Sequence, residues 1–363
     1  MALKKITILY PFQGKTFGGG HVSIISMLKL LDKKRFKPII LIHEKGILKK
    51  ILEQENINYI TETKIKIVKS NSIKDFFFNS MKNFLRIRKL LNEEKIDIIH
   101  CNDGRMHATW NIPTLLSGRK FIWHMRSRDD SRRLVFYSVF ANKILSISNY
   151  CKKNLPPILN KRVKAVKNFF SFSIPKVFPQ KNKKKIISYV ANFKAQKRPE
   201  LFFEIANAIL NSGRKDINFH IFGIYSLNEQ NELMKIIHNR VHKKKINFMG
   251  HKFPIGPWIR KSILTVSLGN NEGFGRVLIE SMLNKSLVIA TSGGGHNEII
   301  SNGDNGVIIE SNNKKVIARK ILFYIENTAI TKKITDNAFI YSKKNFVENN
   351  TPKHIEKIYE TIL

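Results

Sequence analysis

Short apolar, β-branched runs alternate with amphipathic stretches along the whole chain. In the first half, Ile6–Tyr10, Lys37–His43, Ile96–Cys101, Lys120–His124 and Lys143–Ser148 predict strands. Between them Val22–Leu31, Gly46–Gln54, Phe76–Leu91 and Met106–Ser117 carry the helical spacing of apolar positions. Strand–helix alternation of this kind predicts a parallel sheet with helices on both sides.

Periodicity lapses at residues 171–185, SFSIPKVFPQKNKKK, where two prolines and a lysine run have linker composition. It then resumes. Strands are predicted at Ile186–Val190, Ile217–Phe222, Ile246–Met249, Ile263–Ser267, Leu287–Ala290 and Val307–Ile309. Helices are predicted at Pro199–Asn211, Asn228–Val241, Pro257–Lys261, Gly275–Leu283 and Asn297–Ser301, with further helices to the end. The expected class is α/β: two Rossmann-like domains, 1–170 and 186–345, whose parallel sheets face a central cleft. Residues 346–363 are expected to form a helix that packs back on the first domain. In such sheets ligands bind beyond the carboxyl ends of the strands.

Composition narrows the partners. The 363 residues include 64 Lys+Arg against 27 Asp+Glu, a net charge of +37, yet 42% are hydrophobic. A chain this apolar builds cores despite its charge. The excess points to an anionic partner: nucleic acid, a membrane surface or an acidic substrate. A lysine-, isoleucine- and asparagine-rich codon bias is the rival source. Two cysteines, Cys101 and Cys151, supply neither a disulfide framework nor a metal cluster. Met1–Tyr10 reads as a first strand rather than a leader, and no apolar run reaches the roughly 20 residues that span a bilayer. A cytoplasmic protein, peripheral on a membrane at most, is expected.

The chemistry concentrates in Ser267–Ile300, SLGNNEGFGRVLIESMLNKSLVIATSGGGHNEII. Glu272-Gly-Phe-Gly275 leads from a strand into a helix whose first N–H groups are open to phosphate or sugar oxygens. Glu280 follows Glu272 by eight residues, about two helical turns. Two acceptor-only carboxylates suit vicinal hydroxyls. Gly293-Gly294-Gly295, before His296, Asn297 and Glu298, are expected to let backbone approach a ligand closely.

This stretch resembles the retaining glycosyltransferases of family 4, which have the two-domain GT-B fold. Their pattern E-x-F-G-x-x-x-x-E, apolar strand, G-G-x-x-E stands here as Glu272, Phe274, Gly275 and Glu280, then Val288–Ala290, then Gly294, Gly295 and Glu298. Tyr189–Pro199, YVANFKAQKRP, resembles the family's V-G-R-L-x-x-x-K-G segment, whose basic residues bind the donor diphosphate. Lys197 falls on the motif lysine. Asn192 replaces the usual arginine, and Lys194 is expected to supply that charge. Phe17-Gly18-Gly19-Gly20 resembles the family's glycine loop after the first strand.

The resemblance implies transfer of a sugar from a nucleoside-diphosphate donor to an acceptor hydroxyl, with retention of configuration. Charge building on the leaving diphosphate would be met by Lys197, Lys194, Gly19, Gly20 and the helix end at Gly275 and Arg276. Glu272 would hold sugar hydroxyls, Glu280 the ribose diol, and Phe274 would line the donor site. Residues near Gly250–Phe253 would border the nucleobase. His124 resembles the family's active-site histidine of the first domain, facing the donor sugar. Catalytic roles therefore fall to His124, Glu272 and Lys197. No metal or other cofactor is implied.

The acceptor side is read from charge. Residues 104–170 hold 14 basic and two acidic side chains, with Arg126, Arg128, Arg132 and Arg133 just after His124. Asp103, Arg126 and Arg128 are the acceptor candidates, and arginine forks suit phosphate or carboxylate. Along Ile73–Leu91, Phe77, Met81, Phe84, Leu85 and Arg88 share a face flanked by Lys74, Lys82, Arg86 and Lys89. That face either packs on the sheet or lies on anionic lipid. The expected acceptor is a glycan or glycolipid of surface polysaccharide or lipopolysaccharide synthesis. A GT-B sugar-nucleotide epimerase or phosphorylase is the alternative enzyme, and a nucleic-acid-binding protein the non-enzymatic one.

Overall fold

The computed structural model describes residues 4–68, 73–102, 104–126, 140–153, 155–171, 185–348 and 350–363. They form two compact units, Met1–Ser171 with Asn350–Leu363, and Phe172–Asn349. The final helix, Thr351–Ile362, thus belongs to the first unit. Nearly all of the expected linker 171–185 lies outside the described residues.

The first unit is built on seven strands: β1 Ile6–Phe12, β2 Phe36–Ile42, β3 Tyr59–Thr61, β4 Ile98–Cys101, β5 Lys120–Met125, β6 Lys143–Ser146 and β7 Val163–Ala165. They lie in the order β3-β2-β1-β4-β5-β6-β7, parallel at every pairing. The second unit has β8 Ile186–Val190, β9 Asn218–Phe222, β10 Ile246–Gly250, β11 Leu264–Ser267, β12 Leu287–Thr291 and β13 Val307–Ile309. Their order is β10-β9-β8-β11-β12-β13, again all parallel. Each sheet starts in its middle and winds first one way, then the other. The reversal falls between β1 and β4 in one unit and between β8 and β11 in the other. In doubly wound sheets that crevice, at the carboxyl ends, is where ligands sit.

The predicted apolar runs are the buried strands. From Thr7 to Phe12 every residue of β1 is buried. In the second unit helix Pro199–Asn211 lays Phe202, Phe203, Ile205, Ala206 and Ile209 on the sheet, and helix Lys314–Glu326 adds Ile317, Ile321 and Ile325. Each of these Phe and Ile side chains contributes about 1.5–3 kcal/mol when fully buried. Pro199 opens its helix at the position where a missing N–H costs nothing.

Several local expectations are corrected. β3 and β7 were not predicted: each is three residues long, and most of those residues are not buried, so they show neither periodicity nor an apolar run. The expected helix Asn228–Val241 is two helices, Leu227–Met234 and Arg240–Lys243. Asn239 breaks it, because its Oδ1 accepts the Val241 N–H at 2.7 Å and caps a new start. Helix Ile73–Glu93 buries Phe76, Ser80, Asn83 and Ile87 and turns Phe78, Met81 and Leu85 outward, with Leu85 76% exposed. The helix packs on helix Gly104–Leu116, and of the expected apolar face Phe77 meets the Phe140 ring while Met81 and Leu85 stay exposed. Among the described residues no helix is long and apolar enough to cross a membrane.

Candidate active site

In the second unit the motif loops follow β8, β11 and β12, and the first two flank the crevice. After β8 the chain makes a short turn, Ala195–Lys197, and leaves it through Arg198 in the left-handed region (φ 58°). Arg198 stands where the family segment has its glycine, which explains the glycine preference. Its guanidinium ties the turn to Asn270 (3.1 Å) and Asn312 (2.8 Å). The buried Tyr189 hydroxyl donates to the Lys197 carbonyl at 2.8 Å, and the Asn270 N–H donates to the Gln196 carbonyl at 2.9 Å. The two loops are therefore one hydrogen-bonded piece.

That piece brings Lys197 and Glu272, 75 residues apart in sequence, into a direct ion pair. A Cβ added to Gly269 would lie 2.9 Å from Glu272 Oε2, so the carboxylate rests on bare backbone. Farther along, Arg276 Nε donates to Glu280 Oε1 at 2.9 Å across one helical turn. Burial raises the Glu280 carboxyl above its usual range, offset in part by Arg276; burial likewise lowers the Arg276 guanidinium. Each expected hydroxyl-binding carboxylate thus already holds one of the expected cations. A carboxylate accepts several hydrogen bonds, so each pair keeps lone pairs to offer.

Two of the three glycines at 293–295 make close contacts within the fold, while a Cβ on Gly293 would meet nothing within 4 Å. Gly294 is left-handed (φ 59°), and a Cβ there would stand 2.3 Å from the Glu272 carbonyl oxygen. One on Gly295 would stand 2.5 Å from Phe274 Cα. The Gly295 N–H donates to the Glu272 carbonyl at 2.7 Å. Gly294 and Gly295 let one loop press on the other, backbone to backbone. Helix Arg276–Leu283 begins one residue later than expected, with Gly275 left-handed (φ 90°) at its cap. Phe274 does not line an open site: it is 7% exposed and meets Phe346 edge to face at 5.7 Å. Lys194 is exposed at the start of the 195–197 turn, and Asn192, in the arginine position, accepts the Ile224 N–H at 3.1 Å instead of offering charge.

His296 is the residue the sequence reading passed over. Its Nδ1 faces the Thr291 carbonyl at 2.9 Å and its Nε2 the Ser267 hydroxyl at 3.2 Å. A carbonyl only accepts, so Nδ1 carries the proton and Nε2 accepts from Ser267. Burial depresses its pKa, with the Lys197 charge adding to this and Glu272 and the Thr291 carbonyl opposing it. The ring locks β11, β12 and Gly275 together. Its place inside the GGGHNE stretch was the available signal.

In the first unit, helix Gly19–Leu28 starts at the glycine loop after β1. A Cβ on Gly18 would meet nothing within 4 Å, and one on Gly20 would touch only Arg126 Cγ, at 3.7 Å. Space above Gly18 is therefore open. His124 is the fifth residue of β5 rather than its end, and it is 3% exposed. Arg126, expected to meet acceptor, is used within the fold: Nε and Nη2 donate to Asn102 Oδ1 at 3.0 and 2.8 Å, and Nη1 donates to Asn168. The guanidinium cross-links the chain after β4, β5 and β7. Asp103, Arg128, Arg132 and Arg133 lie outside the described residues.

The family model for glycosyl transferases group 1 matches residues 171–341, the part that carries both ion pairs and the paired glycine loops. The chain is a glycosyltransferase, and residues 171–341 are its group 1 domain. An uncharacterised glycosyltransferase of Methanocaldococcus jannaschii is 26% identical over 289 residues, 76% of this chain and 78% of that protein. The poly(ribitol-phosphate) alpha-N-acetylglucosaminyltransferase of Staphylococcus aureus is 25% identical over 286 residues, covering 74% of this chain but only 55% of that protein. Among solved structures, Anabaena HepE in complex with UDP and glucose superposes with a TM-score of 0.80 at 19% identity, covering 98% of this chain and all of that one. The two parallel sheets of this glycosyltransferase are thus those of the GT-B fold. Its family match begins at residue 171, where the chain passes from the first unit to the second.

Proposed function

We propose that the enzyme is a retaining, family 4 glycosyltransferase. It moves a sugar from a nucleoside-diphosphate donor to a hydroxyl of a surface-polysaccharide or glycolipid acceptor. The observation that carries this reading is the Lys197–Glu272 pair in the second unit. It sits on the loops after β8 and β11, at the crevice where a doubly wound sheet takes nucleotides. Lys197 offers a charge to the departing diphosphate, and Glu272, which orients it, offers its remaining lone pairs to the donor sugar. The Arg276–Glu280 pair lies one helix turn beyond and meets the ribose diol. Gly19, Gly20 and His124 belong to the donor-sugar side, and Lys194 adds exposed charge near the phosphates.

Removing one preorganised group that meets developing charge costs about 10²–10³ in rate. The acceptor hydroxyl attacks the anomeric carbon as the carbon–oxygen bond to the diphosphate breaks, and the released phosphate oxygen takes the acceptor's proton. No protein nucleophile or metal ion enters this scheme, so EDTA is expected to leave turnover unchanged. A panel of UDP-, GDP- and ADP-sugars, read by thermal shift, tests the donor class. Ligand at 100 times its Kd adds about 2.7 kcal/mol of stability. Retention is then checked by NMR of the first-formed anomer. A stabilising donor whose product has the inverted configuration overturns the retaining assignment, and no stabilisation by any nucleotide-sugar overturns the donor reading.

The acceptor is read as acidic, membrane-borne or both. The relative from Staphylococcus aureus is named for a polyol-phosphate acceptor, and this chain carries its +37 charge most densely in the first unit. Phe78, Met81 and Leu85 form an exposed apolar stripe on helix Ile73–Glu93, with Lys82 lying over the Phe78 ring at 4.2 Å. Such a stripe fits an anionic membrane surface, where each nearby Lys or Arg adds about 1 kcal/mol. Flotation with anionic but not neutral vesicles is expected; equal flotation with both removes the electrostatic part of the reading.

A further inference from the structure

We propose that Tyr359, supplied by the last helix, fixes the tautomer of His124 through His100, so that His124 presents an N–H at Nε2. The inference rests on the reading of His124 as a group facing the donor sugar. Four buried side chains of the first unit form one hydrogen-bonded line. Tyr10 and Tyr359 hydroxyls are 2.7 Å apart, the Tyr359 hydroxyl is 2.6 Å from His100 Nδ1, and His100 Nε2 is 3.1 Å from His124 Nδ1. The two imidazoles stack at 16° with centroids 5.3 Å apart. Burial, reinforced by the Arg126 charge, holds both rings far below the ordinary histidine pKa, so both are neutral.

Neutrality makes the proton count decisive. Each hydroxyl and each ring carries one proton, giving four protons for three hydrogen bonds. One proton is left over: on Tyr10, on His124, or on Tyr359 if its oxygen accepts from both neighbours, and that last arrangement strands a fully buried Tyr359 O–H with no further acceptor among the described residues. If the line runs toward Tyr10, the spare proton is the Tyr10 O–H, fully buried in the sheet with no second acceptor among the described residues. A buried donor left without an acceptor is among the costlier defects a fold can carry. If it runs the other way, Tyr10 donates to Tyr359, Tyr359 to His100 Nδ1, and His100 Nε2 to His124 Nδ1. The spare proton then sits on His124 Nε2. That atom is buried and meets no hydrogen-bonding partner among the described residues. What separates the two ends is the reading of His124 as facing the donor sugar: on that reading a sugar oxygen accepts from Nε2 when donor is bound, whereas the Tyr10 end, inside the sheet, gains no such acceptor.

Tyr359 is thereby a positioning residue: it touches neither donor nor acceptor, but sets which atom of His124 bears hydrogen. The last helix contributes to catalysis as well as to the core.

The test is imidazole ¹⁵N NMR on the full-length, ¹⁵N-histidine-labelled enzyme, with His124 assigned by its loss in His124→Gln. Protonated Nε2 and unprotonated Nδ1 in the wild type are expected; the opposite tautomer overturns the proposal, and this measurement needs no folded variant. In Tyr359→Phe the His124 signals should move toward a tautomer mixture, and kcat should fall about tenfold or more with donor KM within about twofold. Tyr10→Phe keeps the Tyr359 hydroxyl as donor to His100 and should keep the His124 tautomer, which separates the relay from loss of packing. Unchanged His124 signals in Tyr359→Phe sink the relay while leaving His124 itself in place. Full turnover by His124→Ala instead sinks the underlying reading.

Discussion

At single residues, the site is built by backbone contact before any side chain acts. Gly294 and Gly295 admit the Glu272–Phe274 strip at distances no Cβ tolerates, and only then can Glu272 reach Lys197. Gly294→Ala combines a left-handed backbone with a clash against the Glu272 carbonyl. It should cost at least about 2 kcal/mol, measured by urea denaturation. It should also abolish the donor-induced thermal shift, because the loop that seats Glu272 moves. A variant with wild-type stability and donor response would show that the close loop contact is not needed. The motif letters and the one-turn spacing of Arg276 and Glu280 were legible in the sequence; the Lys197–Glu272 pair was not, since those two meet only through folding.

At the scale of elements, helix Ile73–Glu93 illustrates how periodicity leaves a choice open. Its sequence offers two faces, one with Phe77, Met81 and Leu85 and one with Phe76, Ser80, Asn83 and Ile87. Packing on helix Gly104–Leu116 takes the second, less apolar face, and two of its polar members are used. Ser80 Oγ donates to the Ala108 carbonyl at 3.3 Å, and Asn83 Nδ2 to the Lys66 carbonyl at 2.8 Å. The more apolar face is left outward. Leu85→Glu should change stability by no more than about 0.5 kcal/mol, as an exposed site does, while weakening vesicle flotation. If stability falls by several kcal/mol instead, that face is covered and the membrane reading loses its surface. Strands β3 and β7 went unseen for the opposite reason: three residues at a sheet edge carry too little pattern to stand out.

For the whole molecule, buried histidines couple stability to pH. Burial lowers His107 to about 4, and His100 and His124 are lowered as well. The unfolded chain takes up their protons near pH 6.5, whereas the folded chain does so only well below that. Their contribution is complete above about pH 6.5 and is lost as pH falls toward the folded values, at about 1.4 kcal/mol per pH unit for each histidine. Denaturation of the first unit at pH 7.5 and pH 5 should therefore show a loss of stability, and His107→Gln should reduce the slope by about one proton. An identical slope in that variant would mean His107 is already protonated in the fold.

The α/β class, the motif positions and the order of the buried strands and longer helices follow from sequence alone, because buried parallel strands and glycine-rich turns leave local, periodic marks. Tertiary structure decided what those residues touch. Arg126 binds Asn102 and Asn168, Phe274 binds the core at Phe346, and the glycines seat a neighbouring loop. The line from Tyr10 through Tyr359 and His100 to His124 joins residues up to 349 positions apart. No spacing rule reaches that far: such contacts arise only when the last helix closes on the first sheet, and their proton order is set by burial rather than by any pattern in the chain.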